Sequence, residues 1–394
     1  MAHMSPGRDD MGRYGQVPKT ERDNLAPPPP APPYFNNPTT VAAAAAPGVT
    51  PRSRFDPRGW SLRKKIIVGL CVAIVIVVVI VGSYEGVEKN RYPNYYPLKY
   101  SLKDTYEGAN FFDNFQYWSA PDPAQGFVHY LDAAGAAWSN LSYATNTSAI
   151  IKVDTTYPNT IGGRNSIRIQ SKKTYNDGLF VFDILHSPYG CGTWPALWLA
   201  DAYNWPTNGE IDVVEANNAA TTGNQMTLHT SEGCTMGVKR KQTGSVISEN
   251  CWNVTNNNEG CGVKAPPATY GPEFNANGGG VYAAELRDAG IRIWFFPRNS
   301  IPADISDPSA SPDPSTWGEA LADFPSTDCD IASHFRNQSI IANIDLCGQL
   351  GGQPSLYNDQ SHCPGTCTDF VAKNPSAFTE AYWEFKSFKV YQAS

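Results

Sequence analysis

Past residue 65 this chain has too little basic charge to hold nucleic acid. Of its 30 Lys/Arg and 37 Asp/Glu, ten and five lie in residues 1–65, so the remainder carries 20 basic against 32 acidic residues, a net −12. Neutralising phosphates requires a basic face. This argues against nucleic acid as the main partner, whereas an uncharged polymer stays compatible. No internal repeat is visible, so a repeat array is not expected. No long amphipathic helix occurs in the second half of the chain, which argues against a helical bundle.

What is present fits one large all-β domain with appendages, since 394 residues are too many for a small disulfide scaffold. Residues 66–82, from Ile66 to Gly82, carry no charge. Seventeen apolar residues sit at the short end of the spanning range, and Ser83 and Tyr84 extend them into the interface. A cleaved signal peptide would sit nearer the start. β-branched residues are poor helix formers in water, but lipid offers the backbone no other partner, so a helix is expected. Arg52, Arg54, Arg58, Arg63, Lys64 and Lys65 crowd its N-terminal flank. The positive-inside bias then places the N-terminus in the cytosol, giving a type II single-pass signal anchor in the plasma or a secretory-pathway membrane. Residues 1–65 hold a proline run (Pro27 to Pro33) and an alanine run (Ala42 to Ala46), and read as a disordered cytosolic tail. The tail is passive or binds an SH3-type partner. Residues 66–84 are the anchor, 85–100 a Tyr/Pro-rich stalk, and 101–394 the globular domain.

Cysteine and glycan signals agree with that topology. Cys71 lies in the span; Cys191, Cys234, Cys251, Cys261, Cys329, Cys347, Cys363 and Cys367 all follow it. Eight cysteines in an oxidising compartment suggest up to four disulfides, with 105 possible pairings. Cys363 and Cys367 have a metal-like spacing, but no second short pair or histidine partner completes a zinc set, so no metal and no cofactor are expected. Four Asn-x-Ser/Thr sequons, at Asn140, Asn146, Asn253 and Asn337, also follow the span.

From about residue 101 short strand-like runs alternate with Gly, Asn, Pro and Asp, which implies a sandwich or barrel. Examples are 166–171, 179–185, 291–296 and 382–391. The informative stretch is 205–218, where Glu210, Asp212 and Glu215 fall within six residues among Ile211, Val213 and Val214. Side chains alternate along a strand, so Glu210 and Asp212 share one face and Ile211 and Val213 the other. Glu215 has the wrong parity. A β-bulge at or near Val213–Val214 restores it and puts three carboxylates on one face. Glu210 and Glu215 would then be roughly 13 Å apart at Cα. Inward-leaning side chains could bring the carboxyls to about 5–6 Å, near the spacing of a retaining glycosidase. Crowding would let one stay ionised while another stays protonated. A solvated acidic edge or a calcium site is the alternative.

The run Cys191-Gly-Thr-Trp-Pro-Ala-Leu-Trp198, followed by Asn208-Gly-Glu-Ile-Asp-Val-Val-Glu215 and Gln225-Met-Thr-Leu-His-Thr230, resembles glycoside hydrolase family 16, and within it the fungal endo-1,3(4)-β-glucanase (laminarinase-like) branch. The likeness extends from about Tyr106 to Tyr391. It implies a concanavalin A-like β-jelly-roll sandwich with a glycan cleft across the concave sheet. By position Glu210 resembles the nucleophile, Glu215 the general acid/base, and Asp212 the helper that tunes the nucleophile. His229 resembles a histidine beside these acids, with core packing as its alternative. Trp194, Trp205 and Trp317 look like sugar-stacking positions, because pyranose C–H faces bury well against aromatic planes. Trp198 shares the face of Trp194 but could be core. Asn217 is a weaker candidate for the cleft.

The functional expectation is a membrane-anchored retaining endo-β-glucanase acting on β-1,3 and mixed β-1,3-1,4 glucans in the cell wall. A wall-remodelling transglycosylase, an inactive lectin-like glucan binder, and adhesion or signalling through the tail remain as rivals.

Overall fold

The alternating runs become two antiparallel sheets in the computed structural model, which describes residues 57–307 and 310–393. The Pro/Ala-rich tail expected to residue 65 falls outside the described residues as far as 56. Helix Leu62–Lys89 begins in an N-terminal unit that ends at Leu70, and the sheets belong to the second unit. The stretch Leu62–Tyr84 is 23 residues long with none of its apolar window buried, long and apolar enough to cross a membrane. At 1.5 Å per residue it is about 35 Å in length, against a hydrocarbon thickness of about 30 Å.

Each sheet has eight strands. One runs Ser245–Val246, Cys261–Lys264, Gln225–His229, Glu210–Glu215, Thr193–Ala200, Ser339–Leu346, Arg168–Ser171, Phe115–Tyr117. The other runs Ala322–Pro325, Gly290–Pro297, Gly280–Arg287, Gly178–His186, Tyr382–Ala393, Ala149–Lys152, Ser142–Ala144, with Tyr100–Glu107 also paired to Tyr382–Ala393. Neighbours in space are mostly distant in sequence. This is the jelly-roll sandwich expected from the sequence. Glu210–Glu215 lies well inside the first sheet, so its side chains are held by partners on both sides.

The core forms where apolar sides of the two sheets meet. Ile211, Val213, Leu197, Leu199, Ile340 and Ile344 from the carboxylate-bearing sheet pack with Phe180, Phe182, Ile184, Trp383 and Phe388 from the opposite sheet. Each such side chain contributes roughly 1.5–3 kcal/mol by leaving water. Phe388 sits edge-on to Phe111, at 5.1 Å between centroids, and to Phe182, at 5.0 Å. The opposite sheet is apolar on its outer side too, where Leu179, Val181, Val281, Trp294 and Tyr391 form a second cluster. That explains why residues 179–185 read as nearly continuous apolar sequence: both faces of the strand are covered.

Part of the cover comes from the stretch expected as a stalk, and its far end does not hang free. The Tyr95 hydroxyl donates to Asp323 Oδ1 at 2.5 Å, and the Arg292 guanidinium lies 4.1 Å from the Tyr95 ring centroid. Arg287 donates to the Tyr96 carbonyl at 3.0 Å, and the Tyr100 hydroxyl donates to Glu285 at 2.8 Å. A Cβ at Gly290 would stand 2.3 Å from the Tyr95 hydroxyl, so this approach requires glycine.

All eight cysteines after the helix pair: Cys191–Cys363, Cys234–Cys329, Cys251–Cys261 and Cys347–Cys367. Cys363 and Cys367, close in sequence, go to different partners. Asn140, Asn146 and Asn337 are exposed, Asn253 is half-buried, and all four lie outside the strands and helices.

A fragment that starts at Ser101 should be less stable than one that starts at Arg91. Loss of three tyrosine-centred contacts predicts about 2–4 kcal/mol. Urea unfolding of both fragments measures this, and equal midpoints would show that the docked segment contributes nothing.

Candidate active site

The carboxylate strand is entered through Gly209, whose φ of +70° and close approach to the His334 carbonyl suit no other residue. Along it, Glu210 pairs with Ala200 on one side and His229 on the other, and Asp212 pairs with Trp198 and Thr227. The register then shifts on both sides, and Glu215 pairs with Ala196 and Gln225. The extra residue lies at Val213–Val214, where parity requires it. Val213 and Val214 are both buried in the core, and Glu210, Asp212 and Glu215 share the opposite side. Small residues at 196 and 200 flank the two glutamates, while Trp194 and Trp198 alternate with them.

Two tryptophans hold the outer acids. Trp194 Nε1 donates to Glu215 Oε1 at 2.8 Å, and Trp205 Nε1 donates to Glu210 Oε2. Both were expected as stacking platforms; the structure shows each indole N–H directed at a carboxylate. Trp205 remains 39% exposed, so its ring stays accessible to a ligand. His229 sits beside Asp212, with Nε2 at 3.4 Å from Oδ2, a long ion-pair contact. Its Nδ1 lies 3.1 Å from Asn258 Oδ1.

Burial dominates the electrostatics. It pushes the Asp212 carboxyl well above the usual range, and the charges of Glu210 and Glu215 push it further. Burial also raises Glu215, against the lowering effect of the Trp194 hydrogen bond. For His229 burial works downward, but Asp212 and the two glutamates outweigh it and hold the imidazole up to about 9. The negative charge around it thus favours the protonated form of the histidine. Donor atoms of Glu210, Asp212 and His229 also lie within 4.8 Å of one another, a spacing a metal could use.

Asn217 lies half-buried just beyond Glu215, accepting from Asn218 Nδ2 at 3.2 Å. Trp317 is a correction. It packs edge-on against Trp294 and Phe296, both at 5.4 Å, on the outer side of the opposite sheet. Its Nε1 donates to Asp304. The apolar outer side of that sheet needs covering, and Trp317 serves there with the sandwich core between it and Glu210.

Other residues at the site were not anticipated. Arg168 is sandwiched between Trp118 and Trp198, 4.8 and 5.0 Å from their ring centroids. Trp198 Nε1 donates to Asn343 Oδ1 at 2.8 Å, which ties the ring to the neighbouring strand. Asp345, level with Trp194, is buried with its carboxyl pushed up by desolvation and by Asp122. Strand alternation could have marked Arg168 and Asn343 as side-sharing residues, but nothing local says which strands become neighbours.

The XgeA-like catalytic domain of glycoside hydrolase family 16 matches residues 115–391. The chain belongs to glycoside hydrolase family 16, in its endo-1,3(4)-β-glucanase group. It is 42% identical over 301 residues to an endo-1,3(4)-β-glucanase of Arthroderma benhamiae, covering 74% of this chain and 64% of that protein. It spans about half the length of similar proteins from Aspergillus, 45% for one from Aspergillus fumigatus. Laminarinase 16A of Phanerochaete chrysosporium, solved with 6-O-glucosyl-laminaritriose in donor and acceptor sites, superposes with a TM-score of 0.72 at 45% identity. That match covers 75% of this chain and all of the laminarinase. An elongating family 16 β-1,3-glucosyltransferase gives 0.69 at 38% identity, over 74% of this chain and all of that one.

The His229 pair predicts a pH signature in this glucanase domain. A folded-state value near 9, raised from 6.5, gives a stabilisation fully present below pH 6.5 and lost as pH rises through 9. The stability gap between wild type and His229→Gln should therefore be widest near pH 6 and close above pH 9. Removing the cation also lets the Glu215 carboxyl rise further, so the alkaline limb of kcat/KM should move to higher pH. A constant gap from pH 6 to 10, with an unmoved limb, would show that His229 is not charged in the folded protein.

Proposed function

We propose that this chain is a retaining endo-β-glucanase, held on a membrane by the helix at 62–84, that cleaves β-1,3 and mixed β-1,3-1,4 glucans in cell-wall metabolism. The observation that carries the reading is the three-acid face of one bulged strand, where burial, neighbouring charge and His229 hold the protons unequally. Glu210 would attack the anomeric carbon while Glu215 donates its proton to the departing glycosidic oxygen. Glu215, now a base, would take a proton from water, which attacks the anomeric carbon and frees Glu210. Asp212, buried between them beside His229, would adjust the charge against which Glu210 works. Trp194 and Trp205 would hold the two glutamates in place and offer their remaining ring surface to pyranose faces. The bound branched β-1,3-glucan in the Phanerochaete relative supports this substrate class.

The membrane reading rests on the apolar helix, its basic N-terminal flank, and the location of all four disulfides and four sequons after it. It places the catalytic domain outside the cell or in the lumen, in the plasma or a secretory-pathway membrane. The other expected partners are the glucan and the bilayer, with no nucleic acid. Glycans are proposed at Asn140, Asn146, Asn253 and Asn337.

A wall-remodelling transglycosylase is the second reading. The similarity to an elongating glucosyltransferase favours it, since the same glycosyl-enzyme serves both outcomes. A lectin-like role is disfavoured by the complete Glu-x-Asp-x-x-Glu set.

Glu210→Gln and Glu215→Gln should each lower laminarin turnover by about 10²–10⁴-fold or more while the circular dichroism spectrum is unchanged. Full activity in either variant would remove its residue from the mechanism. Proton NMR of the first product should show the β-anomer, and an initial α-anomer would exclude retention. With laminari-oligosaccharide as donor, products longer than the donor would favour transfer, and shorter products alone would favour hydrolysis.

A further inference from the structure

The bulge at Val213–Val214 needs something to hold it, because an unbulged strand would satisfy backbone pairing equally well. Without the extra residue, alternation would put 210, 212 and 214 on one side. Val214 would then face the glucan and Glu215 the core. Whatever decides between these registers decides whether the acid/base is present at all.

Asn224 occupies the position from which that choice can be made. It is fully buried, and its side chain binds both ends of the irregularity. Oδ1 accepts from the Glu215 N–H at 2.9 Å, and Nδ2 donates to the Val213 carbonyl at 2.9 Å. The amide thus spans the extra residue like a short piece of strand. Its own backbone is fixed in turn: the N–H donates to Thr269 Oγ1 at 2.9 Å, and the carbonyl accepts from the Ala265 N–H at 2.9 Å. Gly223, just before it, has a φ of +81°, and a Cβ there would lie 2.2 Å from the Pro266 carbonyl oxygen. The turn that delivers Asn224 therefore tolerates only glycine at 223. Asn224 does not touch the proposed reacting atoms. Its action is on the backbone from which Glu215 projects.

We propose that Asn224 is a positioning residue which locks the extra residue of the catalytic strand, so that Glu215 rather than Val214 faces the substrate. The inference rests on the reading of Glu215 as acid/base. Its chemistry separates it from a general packing role. A displaced acid/base slows proton donation to a poor leaving group and slows activation of water. Both defects can be bypassed. An aryl β-laminaribioside with a dinitrophenolate leaving group needs no proton. Azide can attack the anomeric carbon of the glycosyl-enzyme in place of water, forming a glycosyl azide and releasing the Glu210 carboxylate.

The test compares full-length wild type, Asn224→Ala, Asn224→Asp and Glu215→Ala in detergent. Asn224→Ala should lose about 10²-fold in kcat on laminarin, with KM within about threefold of wild type on the uniform-binding argument. It should retain turnover of the activated aryl glycoside in azide, with glycosyl azide as product. Asn224→Asp keeps the acceptor for the Glu215 N–H but loses the donor to the Val213 carbonyl, so a loss of the same kind is expected. Should Asn224→Ala fail to fold, Asn224→Asp decides alone. Laminarin turnover near wild type, or a loss without any glycosyl azide, would overturn the proposal. Undiminished activity in Glu215→Ala would instead sink the acid/base reading on which it rests.

Discussion

One extra residue in one strand governs the chemistry of this domain. A β-strand offers a binary choice of side, and Glu210-Ile-Asp-Val-Val-Glu215 has the wrong parity for three acids to share one. The register shift at Val213–Val214, seen against both neighbouring strands, converts an acid that would point into the core into one that meets Trp194. The valines that make the shift also anchor it, because both are buried in the core. Asn224 completes the arrangement by bonding to the backbone on each side of the extra residue.

Placing three carboxyls side by side within a partly dry surface has an electrostatic consequence. They cannot all ionise at low energy. Burial raises Asp212 and Glu215, and the same crowd of negative charge keeps His229 protonated against its own desolvation. Neighbouring carboxyls that hold their protons unequally are the general pattern of paired acid chemistry. The indoles of Trp194 and Trp205 add direction, since each donates to one oxygen of one glutamate.

The opposite sheet solves a different problem. Its outer side is apolar and would be exposed in a simple two-layer sandwich. Loop residues around Trp317 and the docked tyrosines of 95–100 cover it. The chain at 95–100 is thus built into the sheet domain and does not hang free of it.

The sequence alone determined the features that depend on neighbouring residues. Strand alternation located the three acids and required a bulge at the paired valines. An uncharged run marked the helix. Family likeness, and not periodicity, pointed to Trp194, Trp205 and His229 beside the acids. Tertiary structure decided what depends on chain segments far apart in sequence. Cys191 finds Cys363 across 172 residues, and nothing near either could select it from 105 pairings. Trp317 had the composition of a sugar platform, yet the sheet it covers lies on the other side of the core. Asn224, Asn258 and Arg168 acquire their roles only when particular strands become neighbours. Periodicity is written residue by residue along a strand, whereas the identity of the strand alongside is settled when both sheets close on one core.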